Sequence, residues 1–351
     1  MNRGDRNNDD AASWNGFSAV GGRQRLIRNK ELFLCSQYIA DGDRLPWSFE
    51  ADESAPPAEN VWLAAPKTTD SLFIAPREVP PNLQPSLWGT EFERTPAIRA
   101  AALSATFILV HRAALELDLD PEEFDIVEPR MGRPGGGPPV PVLQFTDHLI
   151  NGAGFCERLA RIEKGGSPMV SRLIKSIVKE ESAYPLRDFL GDHDGYDHRA
   201  RCDQSCYRCL QRYGNQMYHG LLDWRLGLAF LAMLHDSQYK CGLDGQFTRP
   251  ELRDWPKLAR AYAHDMVNFE DGTGEVRDAG RLVAFRLGGK PHWAIVVHPL
   301  WDSDKLPGIV RDAYQSLDGP KVKIAFSNTF ELARRQIKER QRLLSQETWN
   351  A

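Results

Sequence analysis

The chain has 351 residues, of which 42% are hydrophobic and 26% charged, with a formal net charge of −4. That length buries a real core in two or three units, and the weakly acidic balance excludes a wholly basic nucleic-acid coat while allowing local patches. Six cysteines, half of them in one short stretch, argue against a disulfide framework and for metal binding in a reducing compartment.

In chain order, the first thirty or so residues are polar and glycine-rich, with Trp14 and Phe17 scattered among them. Residues 1–67 therefore read as a polar N-terminal segment with short strands, expected to dock on a partner. Leu32–Ile39 and Leu72–Ile74 are expected strands, and the Pro-rich Ser54–Glu59 stretch between them an expected loop. Thr95-Pro96 announces a helix, with Thr as N-cap and Pro at the first helical position. It runs to about Leu117, and its middle is apolar on nearly all sides, which places it at the centre of the fold. The apolar run Ala100–Val110 is too short to span a bilayer, and the N-terminus carries no apolar signal segment, so a cytoplasmic chain with no membrane association is expected.

Phe124–Val127 and Val140–Phe145 are expected strands around the Gly- and Pro-rich loop Arg130–Pro139. Asn151-Gly152-Ala153-Gly154 follows, ahead of an amphipathic segment from Phe155 to about Lys179. Strand, glycine-rich turn and helix can hold an anion, but a tight turn for close backbone packing is the simpler reading. Leu221–Leu234 is a strongly apolar helix. Residues 258–351 are expected to form a smaller C-terminal α/β unit. Its strands would be Arg281–Leu287, His292–His298 and Val322–Phe326, its helices Pro307–Ser316 and a basic terminal Glu331–Leu344. The fold class expected is mixed α+β, a domain over 68–240 with a central buried helix, followed by that unit.

The chemistry is concentrated at Cys202, Cys206 and Cys209. Three thiols so close face one point, and thiolates are soft ligands that select zinc or iron–sulfur clusters. A closed zinc site needs a fourth protein ligand: Cys156 is the first choice, His219 the second and His198 the third. Cys35 and Cys241 read as ordinary buried thiols. The Cys-x3-Cys-x2-Cys spacing also belongs to radical enzymes that hold a four-iron cluster and cleave S-adenosylmethionine. Arg208 stands where those enzymes usually place an aromatic residue, and no glycine-rich cofactor strand is evident. His298, Asp302 and Asp304 are a second alternative, a nuclease site on the C-terminal unit. No Gly-x4-Gly-Lys-Ser/Thr loop occurs, and Asp52-Glu53-Ser54-Ala55 has no strand before it, so no ATPase motor is expected. Arg199, Arg201, Arg208 and Arg212 surround the cysteines, and Arg334, Arg335, Lys338 and Arg340 stand on the terminal helix. These are the candidate phosphate contacts, although arginines beside thiolates also balance charge.

The stretch Asn151-Gly-Ala-Gly-Phe-Cys156, then Cys202-x3-Cys206-Tyr-x-Cys209-Leu, then Tyr213-x-Asn215-Gln216-x2-His219-x2-Leu222-Asp223-Trp224 resembles the MrfA-type zinc-binding domain. The match extends upstream through Arg99-Ala-Ala-Ala-Leu-Ser-Ala and Asp120-Pro-Glu-Glu, covering about Thr68 to Leu234. That family sits at the C-terminus of superfamily 2 helicases and in a helicase-partner subunit of the DISARM antiphage system. The resemblance implies a zinc ion (Zn2+) held by four cysteines, here Cys202, Cys206, Cys209 and Cys156. It also implies a module that works with a superfamily 2 helicase motor, supplied in trans, on DNA.

Overall fold

The computed structural model describes residues 17–20, 26–27, 57–61, 68–87, 94–133, 139–193, 195–270, 273–318 and 322–345. The expected strand Leu32–Ile39, the acidic segment 52–55, Trp14 and Cys35 lie outside the described residues. The chain divides into two units, Met1–Thr68 and Thr69–Ala351. In the first, β1 (Phe17–Val20), β2 (Leu26–Ile27) and β3 (Pro57–Val61) form an antiparallel sheet in the order β2-β1-β3. The Ser54–Glu59 stretch, expected to be loop, thus enters a strand at Pro57. Proline is tolerated there because it is the first residue of an edge strand, where no ladder donor is needed.

The second unit is mixed α+β around a buried helix. Helix α1 (Arg94–Leu117) carries a run of alanines and branched aliphatics, and Ala97, Ile98, Ala100–Ala105, Ile108, Leu109, Ala113 and Ala114 are all buried. Its buried Thr106 hydroxyl is satisfied within the helix, donating to the Ala102 carbonyl at 2.9 Å. Residues 96–117 have the length and hydropathy to cross a membrane, but most of that span is packed inside the protein. This helix is the core.

On it lies a three-stranded antiparallel sheet of order β4-β6-β5, made of β4 (Ser71–Ile74), β5 (Phe124–Gly132) and β6 (Val140–Asp147). The β5–β6 register shifts between Val127 and Arg130, at Pro129, which cannot donate to the ladder. The segment expected as one amphipathic stretch is two helices, α2 (Phe155–Ala160) and α3 (Met169–Lys179), parted by Gly165-Gly166 and Pro168. Short α4 (Leu186–Leu190), the hairpin β7 (Asp192–His193) and β8 (Tyr196–Asp197), and α5 (His198–Arg201) lead into the cysteine loop.

After that loop, a 3-10 segment (Tyr213–Tyr218) precedes α6 (Trp224–His235), which crosses α1. The crossing is tight. A Cβ on Gly227 would lie 2.8 Å from the Ser104 Cβ and 2.9 Å from the Ser104 carbonyl carbon, so only glycine fits. The Ser104 hydroxyl accepts the Asp223 N–H at 2.8 Å, fixing where α6 begins.

Helix α7 (Trp255–Glu270) has no counterpart in the expected elements. It packs on a four-stranded sheet of order β12-β11-β10-β9, built from β9 (Glu275–Ala279), β10 (Leu282–Arg286), β11 (Trp293–Val297) and β12 (Ile324–Asn328). Strands β11 and β12 run parallel, joined through α8 (Gly308–Ser316). All five residues of β11 are buried, as expected of a strand covered on both faces. The expected terminal helix is two, α9 (Thr329–Arg334) and α10 (Gln336–Leu344), meeting at Arg335. The sheet is stitched to the β4 side by Gln84 N–H on the Leu300 carbonyl and Asp302 N–H on the Asn82 carbonyl, both 2.9 Å.

Candidate metal centre

The cysteine loop is organised by backbone geometry before any metal is considered. Asp197 caps α5 by accepting the Ala200 N–H at 3.0 Å, and the Cys202 N–H reaches the His198 carbonyl at 2.9 Å. One helical turn therefore sets His198 and Cys202 together. Cys206 and Cys209 form a tight knuckle: the Cys209 N–H donates to the Cys206 carbonyl at 3.0 Å, and the Cys206 N–H to the Cys209 sulfur at 3.1 Å.

The result is a group of four ligand atoms, from His198, Cys202, Cys206 and Cys209, all within 4.8 Å of one another. Two sulfur pairs, Cys202–Cys209 and Cys206–Cys209, stand 3.9 Å apart. Thiolates bonded to one ion at about 2.3 Å sit about 3.8 Å apart on a tetrahedral edge. A four-iron cluster would instead place each thiolate on a different iron atom and spread the sulfurs further apart. These four residues can hold a metal ion.

His198 is buried, and its ring is oriented from behind. The Nδ1 atom faces the Phe189 carbonyl at 3.1 Å, while Nε2 is buried with no hydrogen-bond partner. A carbonyl accepts only from a protonated nitrogen, so Nδ1 carries a hydrogen, and in the neutral ring Nε2 is the nitrogen available to a metal ion. A buried imidazole nitrogen with nothing to bond is costly unless it has such a use. Phe189 stacks on the ring at 5.7 Å, and Trp224 lies 5.9 Å from it. The Cys209 thiol is drawn down to about 4, chiefly by a hydrogen bond from Cys202, with help from His198 and the Cys206 N–H. Cys202 is pushed up correspondingly, chiefly by its hydrogen bond with Cys209 and by burial.

Cys156, expected as the fourth ligand, is not in this group. Cys156 lies at the start of α2, its sulfur 3.7 Å from the Phe145 carbonyl, and burial together with the Asp147 carboxylate holds its thiol protonated. The glycine-rich turn before it does cradle an anion, but that anion is the protein's own. Buried Asp147 accepts N–H bonds from Ala153 at 2.8 Å and from Phe155 and Cys156 at 3.0 Å. Burial raises its carboxyl, yet the Cys156 thiol together with these N–H bonds holds it below the usual range. His219, the second choice, is not in the group either. Its Nε2 sits 3.0 Å from both the Arg212 carbonyl and the Asn215 side-chain oxygen, closing the 3-10 segment.

A side chain that sequence reasoning missed holds the loop from below. Arg225, on the first turn of α6, is buried and donates to the carbonyls of Cys202 (2.9 Å), Asp203 (2.8 Å) and Arg199 (3.2 Å). It also pairs with Asp254 at 3.0 Å, and the Trp224 indole N–H adds a second donor to the Cys202 carbonyl at 3.1 Å. The Asp223-Trp224 pair in the motif was the available signal.

The candidate phosphate contacts divide. Arg199 is engaged in a two-bond pair with Asp254, Arg334 donates to the Leu222 carbonyl, and Arg335 pairs with Glu331. Arg201, Arg208 and Arg212 are exposed; the first two lie over the Tyr196 ring at 5.2 and 4.2 Å. Lys338 and Arg340 lie half-buried on α10.

His298 and Asp302 do not belong to a ligand group among the described residues. Among the described residues, the only grouping of three or more such ligands is the one at His198. His298 is buried, with its Nδ1 accepting the Leu300 N–H at 3.2 Å and 3.4 Å from the Cys241 sulfur. Asp302 pairs with Lys305, and the Asp304 side chain lies outside the described residues. Burial alone pulls His298 down from 6.5 to about 3, so it is neutral in the folded protein. The unfolded chain takes up a proton as pH falls through its ordinary value, and the folded one does not until near the lowered value. The stability of neutral His298 is thus complete above pH 6.5 and is lost as pH falls from there towards about 3. We expect the urea-unfolding free energy of wild type to lose about 1.4 kcal/mol per pH unit in that window relative to His298→Gln. Parallel pH profiles of the two proteins would contradict this.

No protein-family model, curated protein or solved structure matches this chain. The resemblance rests on the quoted motif residues alone.

Proposed function

We propose that the chain is a non-motor, zinc-binding module of a superfamily 2 helicase system acting on DNA, in repair or phage defence. It contributes partner docking and DNA contacts. The observation that carries the metal assignment is buried His198, whose Nε2 has no hydrogen-bond partner, grouped with three sulfurs so that the four ligand atoms lie within 4.8 Å of one another. One histidine and three thiolates form a closed tetrahedral set of the kind that holds structural zinc, with no position left for a substrate. Zinc there ties α5 to the knuckle, and through Trp224 and Arg225 to α6. The helicase context is supported by the spacing from Cys202 to Trp224 that resembles the MrfA-type domain, and by the lack of a phosphate loop in these 351 residues. The polar N-terminal segment around Trp14 and Phe17 is the proposed docking region for the motor.

The test is purification of the tagged chain from its native cells. Expected are about one zinc per chain with negligible iron, no ATP hydrolysis by the chain itself, and co-purification of an ATP-dependent DNA helicase. Stoichiometric iron with acid-labile sulfide overturns the metal assignment. ATP turnover by the pure chain overturns the non-motor reading.

A further inference from the structure

The metal knuckle and the 3-10 segment after it present large side chains to solvent where a folded loop would ordinarily hide them. Tyr207 is 62% exposed, Tyr213 86% and Met217 80%. Single exposed apolar residues are ordinary; three within one braced loop are not.

The bracing is specific. Tyr207 stands between two metal-ligand candidates, and its ring meets the His219 ring edge-on at 5.4 Å. The His219 Nε2 contacts the Arg212 carbonyl and Asn215, whose amide donates to the Leu210 carbonyl at 2.9 Å. The Arg212 guanidinium donates to the carbonyls of Gln211 at 2.7 Å and Tyr207 at 3.3 Å. The two tyrosine rings are thus held on a preordered backbone, which lowers the entropy lost when something stacks on them.

Within the loop itself the charge has one sign. From Ser205 to Gly220 there is no aspartate or glutamate, while Arg208 and Arg212 are exposed and Arg201 stands nearby over Tyr196. Exposed aromatic faces interleaved with arginines, and no acid among them, suit a polyanion carrying flat unpaired rings. Bases inside a duplex are already stacked and cannot be reached by a tyrosine face. Tyrosine, methionine and arginine also favour protein interfaces, but the positive charge of the loop's own side chains favours nucleic acid.

We infer that Tyr207, Tyr213 and Arg212 form a stacking platform for single-stranded nucleic acid, with bases on the rings and phosphate at the arginine. This rests on the reading of the chain as a DNA-acting module and names the form of DNA that this loop takes.

The experiment uses the full-length, metal-loaded protein and fluorescence anisotropy with a labelled oligothymidylate of about 20 nucleotides and a duplex of equal length. Wild type is expected to bind the single strand more tightly than the duplex. Tyr213→Ala is expected to weaken single-strand binding about 5- to 150-fold, with Tyr213→Trp restoring it. Arg212→Ala is expected to lower the slope of log affinity against log salt by about 0.7. Because Tyr207 lies between metal ligands, Tyr207→Ala counts only with unchanged metal content, and Tyr213→Ala is the independent arm.

Tyrosine variants that bind as wild type, while arginine variants lose affinity, would overturn the platform and leave the DNA reading standing. Equal affinity for single strand and duplex would do the same. Tyr213→Ala protein that keeps oligonucleotide binding but loses a co-purifying helicase would make the surface a protein interface instead. No binding to either nucleic acid at low salt would overturn the platform and the DNA half of the proposed function together.

Discussion

His198→Ala is expected to strip the metal from the purified protein as completely as Cys206→Ser does, while Cys156→Ser and His219→Ala retain it. Each of the first two changes opens the four-atom group, to which His198 belongs as the Cys206 sulfur does. Binding free energy at such a site is folding free energy, on the order of 10 kcal/mol for structural zinc. The loss should therefore appear in two readouts: metal content by elemental analysis, and a large fall in the thermal midpoint. Cys156 has another occupation, as a protonated thiol packed beside Phe145 and Asp147. Its serine variant should lose some packing energy but no metal. Metal loss in Cys156→Ser with retention in His198→Ala would return the fourth position to the cysteine. The site should also weaken as pH falls, since thiols must release their protons to bind the ion and protons compete with it for the sulfurs.

Arg225→Met is expected to destabilise the protein by about 3–5 kcal/mol, among the largest effects of any change outside the four ligands. The methionine keeps most of the volume but removes every donor. Three carbonyls, those of Cys202, Asp203 and Arg199, lose a partner, and Asp254 loses one of its two arginines. Arg225→Lys should recover little, because one ammonium cannot span the fork that reaches both the loop and Asp254. Urea unfolding of the metal-loaded proteins reads the effect. The variant should also release metal faster to a chelator, since the Cys202 carbonyl is what anchors the loop to α6. A change below about 1 kcal/mol, the value of an ordinary exposed ion pair, would show that the network carries no special weight.

Local chemistry was enough to read several parts of this molecule. A helix apolar on all sides has nowhere to go but the centre, and α1 is there. The strands around Leu72, Phe124 and Val140 follow from alternating or continuous apolar runs between turn residues, with only their ends displaced. The Cys206-x2-Cys209 knuckle closes through hydrogen bonds among its own few residues, so the spacing alone announces it.

Other parts needed the tertiary structure, for one recurring reason: their partners are far away in the chain. Among Cys156, His219 and His198, all three have the chemistry of a ligand. What selects His198 is the Phe189 carbonyl that fixes its tautomer and the α5 turn that sets it beside Cys202. What removes Cys156 is the Asp147 carboxylate that its own turn wraps. Arg225 reads in sequence as one more charge on an apolar helix, and only the packing of α6 under the cysteine loop brings three carbonyls to it. His298 shows the reverse: a histidine and acids close in sequence suggest a metal site, but the sheet that carries them buries the ring beside Cys241, where burial holds it neutral. Residue type and spacing determined which chemistry was available to this chain; burial and long-range hydrogen bonding decided which side chains were left with a free lone pair to use.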